Sequence, residues 1–99
     1  MTLHILFESP FAGRALEECR RVASAGDALL LAGDGVYALA GTAADALQAL
    51  RADGVALFAL AEDCAARGVE SATGPGLGTI DYGGFIELTL AHERSVSWF

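Results

Sequence analysis

The chain alternates between runs that are apolar at every position and segments in which apolar residues return every third or fourth place. Ala28–Ala32 and Val55–Leu60 are of the first kind, and Leu3–Phe7 matches them but for His4. A run with no polar alternation predicts a strand buried on both faces, as in a parallel sheet sheathed by helices. Ala12, Ala15, Leu16, Cys19, Val22 and Ala23 are of the second kind. Their spacing predicts a helix from Gly13 to Ser24 that packs this face inward, turns Glu17, Glu18, Arg20 and Arg21 to solvent, and stops at Gly26.

The rest of the chain continues the alternation. Ala28–Ala32 runs abruptly into Gly33-Asp34-Gly35, where two glycines let the backbone turn sharply and Asp34 is placed to accept from neighbouring amides or cap a following helix. Val36–Ala40 fits a short helical turn. Thr42 is an expected N-cap for a helix from Ala43 to Arg51, with Asp45 at its favourable end, and Asp53-Gly54 is a turn. A helix over Glu62–Arg67 closes on Gly68. Between Glu70 and Gly78 the chain is broken up by Ser71, Thr73, Gly74, Pro75 and Gly76, with a short strand expected at Leu77–Ile80. Asp81 leads into a helix over Tyr82–His92, on which Phe85, Ile86, Leu88 and Thr89 keep a helical period, and Ser95–Phe99 is a last strand. Five strands alternating with helices predict a three-layer α/β sandwich as one domain over 1–99, with its working loops past the carboxyl ends of the strands.

Composition narrows the function. The chain has 99 residues, a formal charge of −7, six arginines and no lysine. Binding to nucleic acid or to an anionic membrane rests on cations, so neither is expected of this chain. Hydrophobic residues make up 54 % of it and Gly another 12 positions, so part of its surface is expected to lie against other chains. No apolar stretch approaches the ~20 residues that span a bilayer. The amino-terminal segment lacks a basic leader and reads as a strand, and two distant cysteines make no disulfide framework, so cytoplasmic residence is expected.

Few residues carry candidate chemistry. No Gly-x-Gly-x-x-Gly follows a strand, no Walker-type lysine exists and no His-Glu-x-x-His occurs. Gly74-Pro75-Gly76-Leu77-Gly78 is glycine-rich but has a proline and no adjacent cation, and reads as a plain loop. His4 and His92 with two separated cysteines make no metal set, so neither metal nor cofactor is expected. The thiols remain. Cys64, flanked by Glu62 and Asp63, reads as a small core residue. Cys19 is open to two readings: Arg20 and Arg21 favour a thiolate, whereas Glu17, Glu18 and its phase with Leu16 and Ala23 favour a buried thiol.

Several segments, in order and nearly end to end, resemble the DsrH/TusB family of small sulfur-relay subunits. They are Leu3-His4 with Ser9-Pro10-Phe11, Leu16-Glu17-Glu18-Cys19, Ala28-Leu29-Leu30-Leu31 leading to Asp34-Gly35-Val36, Leu60-Ala61-Glu62-Asp63 with Ala66-Arg67-Gly68, Asp81-Tyr82-Gly83-Gly84-Phe85-Ile86-Glu87-Leu88-Thr89, and Trp98-Phe99. The resemblance implies a three-layer α/β/α fold with a five-stranded, mainly parallel sheet. It also implies a heterohexamer with sister DsrE/TusD-like and DsrF/TusC-like subunits, and a DsrC/TusE-like sulfur acceptor. A sister subunit then carries the principal persulfide cysteine, and this chain helps hold and pass sulfur, in sulfur oxidation or in tRNA wobble 2-thiouridine synthesis. Cys19, matched by a cysteine in the sulfur-oxidation branch, is the implied catalytic residue, and Asp34, Gly35 and Val36 the implied partner interface. The alternative is a purely structural subunit whose thiol is spare.

Overall fold

The computed structural model describes residues 1–40, 43–70 and 77–99. β1 (Thr2–Leu6), β2 (Ala28–Leu31), β3 (Ala56–Leu60), β4 (Leu77–Ile80) and β5 (Arg94–Trp98) form one sheet in the order β4-β3-β2-β1-β5. Every neighbouring pair is parallel. The expected α/β fold with a five-stranded parallel sheet is the one observed. β1 and β2 are buried along their whole length, β2 as its uninterrupted apolar run requires and β1 with Thr2 and His4 buried among its apolar residues.

The chain steps from β1 to β4 one strand at a time, then jumps back across the sheet to place β5 beside β1. Right-handed crossovers in one direction stack their helices on one face, and the reversal sends the last helix to the other. α1 (Ala15–Val22), a 3-10 helix (Gly33–Leu39), α2 (Ala44–Ala52) and α3 (Ala61–Arg67) accordingly share the first face. There Leu6, Leu29, Leu31 and Leu57 meet Leu16, Cys19, Val36, Leu47, Leu50 and Cys64. On the other face Leu3, Ile5, Leu30 and Leu60 are backed by Phe58, Ile80 and two residues of α4 (Tyr82–Ala91), Phe85 and Leu88. Among the described residues three α-helices cover one face and one covers the other.

The departures from expectation have local causes. α1 is shorter than Gly13–Ser24 at both ends. Glu8 reaches forward from the loop after β1 to accept from the Ala15 amide at 3.1 Å, fixing the first turn. At the other end Asp27 takes the Ser24 amide at 3.1 Å, drawing the chain out of the helix at Ala23. Gly26, at φ +92°, lies in that connection and is not the helix terminator. Val22 is consequently exposed. Ile86 and Thr89 also face outward; α4 packs through Phe85 and Leu88 alone. Asp81 caps α4 by accepting from Gly84, and Gly68 ends α3 in the left-handed conformation as expected. Thr42 and Gly74-Pro75-Gly76 lie outside the described residues. Among the described residues no helix is long and apolar enough to cross a membrane.

Candidate functional site

Cys19 lies on the inner side of α1 and its side chain has no exposure to solvent. Burial, and secondarily the charge of Asp27, push its thiol up to about 11. At neutral pH about one molecule in ten thousand would then carry the thiolate. The arginines next to it in sequence bring no relief: Arg21 is exposed, and Arg20 pairs with Glu17 at 3.1 Å on the outer side of the helix. Cys64 is likewise buried, its thiol raised by desolvation and by Asp63. Both thiols are free.

The carboxylate that acts on Cys19 is the centre of a buried polar network. Asp27 stands just before β2 and is 7 % exposed. One oxygen accepts from the Thr2 amide at 2.9 Å; the other accepts from the Ser24 amide at 3.1 Å and lies 3.0 Å from His4 Nε2. Burial alone would raise this carboxyl, but the Thr2 amide, the His4 ring and the Ser24 amide outweigh it and bring it down to about 2. On the far side of the imidazole, Trp98 Nε1 donates to His4 Nδ1 at 3.1 Å. An indole N–H can only donate, so Nδ1 is the acceptor and the ring proton sits on Nε2, facing Asp27. Both ring nitrogens are therefore in use, and His4 has none left to act as a base toward Cys19.

This network escaped the sequence reading, though a signal was present. A histidine inside an otherwise apolar strand must find a hydrogen-bond partner once buried, and Asp27 is the one acid abutting the neighbouring apolar run. Two clefts open near α1. One of about 260 Å³ is lined by His4, Asp27, Val22 and Arg94. Another of about 170 Å³ is lined by Pro10, Phe11, Leu16 and Ala46. Cys19 lines neither.

The Asp34-Gly35-Val36 segment sits past the carboxyl end of β2, inside the 3-10 helix. Val36 has no exposure, and Gly35 rests so closely on the end of β1 that an added Cβ would collide with the Leu6 carbonyl oxygen. Of the three only Asp34 is exposed, and Arg67 Nε donates to it at 2.8 Å. Asp63, on the first turn of α3, accepts from the Gly33 amide at 2.7 Å. The capping expected of Asp34 is thus performed by Asp63, while Asp34 braces the loop against α3. Glu62 extends the bracing by accepting from the Tyr82 amide at 3.2 Å at the start of α4. The arrangement fixes loops; it assembles no catalytic group. Among the described residues no cluster of three or more His, Cys, Asp or Glu is placed to hold a metal.

Comparison with known proteins gives a consistent kinship. The family model described as DsrH like protein matches residues 8–95. The protein TusB of Pectobacterium parmentieri is 38 % identical over 97 residues, covering 97 % of this chain and 99 % of that protein. TusB of Escherichia coli O81 is 36 % identical and TusB of Buchnera aphidicola subsp. Baizongia pistaciae 32 %, each with the same coverage. Among solved structures, the ychN protein from E. coli superposes with a TM-score of 0.78 at 17 % identity over 98 % of both chains. Protein Tm0979 from Thermotoga maritima gives 0.60 at 23 % identity over 94 % of this chain and 95 % of that one. The two structures share the fold, and the sequence matches carry the lineage: this chain belongs to the DsrH-like family.

Proposed function

We propose that this chain is the DsrH-type subunit of a sulfur-relay complex and that its contribution there is architectural. The observation that supports this reading best is the state of Cys19, sealed beneath α1 with its thiol pushed up to about 11 and no free imidazole nitrogen to activate it. A persulfide acceptor needs a thiolate that a donor can reach, and Cys19 offers neither property. Sister DsrE/TusD-like and DsrF/TusC-like chains would then carry the transferring cysteine and pass sulfur to a DsrC/TusE-like acceptor. Exposed Phe11, Ile86, Leu90 and Phe99 supply apolar surface for such assembly.

A second reading, transfer through Cys19 itself, is favoured by the clefts that open near both ends of α1. In it the Cys19 thiolate attacks the outer sulfur of a donor persulfide. A new S–S bond forms at Cys19, the donor's S–S bond breaks, and the donor leaves as its thiolate with no net oxidation. Reconstitution with the sister subunits and the acceptor decides between the two. The architectural reading expects Cys19→Ala complexes to assemble and deliver sulfur at the wild-type rate, and intact-mass analysis to find no added sulfur atom on the wild-type chain. Loss of transfer in Cys19→Ala complexes of normal composition would establish the second reading.

A further inference from the structure

We draw no further inference here: the strongest candidate, the exposed apolar row of Tyr82, Ile86 and Leu90 on the outer side of α4, carries none because nothing in the structure shows what covers it.

Discussion

Asp27 shows how one carboxylate can set several local conformations. It ties the start of β1, the end of α1 and the start of β2 together through two amides and an imidazole. Its native carboxyl titrates near 2, below the ~3.9 of an unfolded aspartate. The stabilisation is thus fully present above about pH 4 and is lost as the pH falls toward 2, amounting to about 2 kcal/mol at neutrality. Urea unfolding of the wild type and Asp27→Asn should show a stability gap that is constant from pH 7 to about 4 and narrows below it. A gap that stays unchanged to pH 2 would contradict this account. The same residue bears on Cys19. Native protein at neutral pH should be inert to a thiol reagent, whereas urea should release both thiols. Cys19→Ser is a poor probe, because it buries an unpartnered hydroxyl at a cost of about 1–3 kcal/mol; Cys19→Ala avoids that penalty. Rapid labelling of native Cys19 would argue against the architectural reading.

At the level of elements, the sequence showed what was periodic and concealed what was contributed from afar. Leu29-Leu30-Leu31 could only be a doubly buried strand, and its parallel partners followed from the same apolar density. The ends of α1 could not be read, because Glu8 and Asp27, which set them, lie outside the helix's own period. Val22 falls on the expected packed face of α1 and Ile86 on the helical period of α4, yet both are exposed, because periodicity identifies an apolar residue but not whether its side of the helix meets the sheet. The Gly33-Asp34-Gly35 loop was legible as a turn, but the tasks of its residues were not. Gly33 takes φ +53° and is held by Asp63, whereas Gly35 is required by proximity to β1. An alanine at Gly35 would drive its Cβ into the Leu6 carbonyl oxygen. Backbone cannot yield as a side-chain tip can, so Gly35→Ala should destabilise the fold by about 3 kcal/mol or prevent folding. Gly68→Ala meets no atom within 4 Å and bears only the strain of φ +65°, so chemical denaturation should find it the milder change, by about 1 kcal/mol. Equal losses would show that the contact with Leu6 is not what demands glycine.

Taken whole, the molecule is lopsided, and the imbalance predicts its dynamics. β2 and β3 lie within the sheet under three α-helices, whereas β5 is an edge strand exposed along most of its length. Its chief side-chain ties to β1 are Trp98 to His4 and Arg94 to Thr2. Local opening follows the density of buried contacts, so amide hydrogen exchange should be slowest in β1, β2 and β3, and fastest in β5 and α4. Trp98→Phe removes the donor facing His4 Nδ1 and leaves a buried acceptor unpaired, costing about 1–3 kcal/mol. That loss should appear first as faster exchange in β5 while β3 stays unchanged.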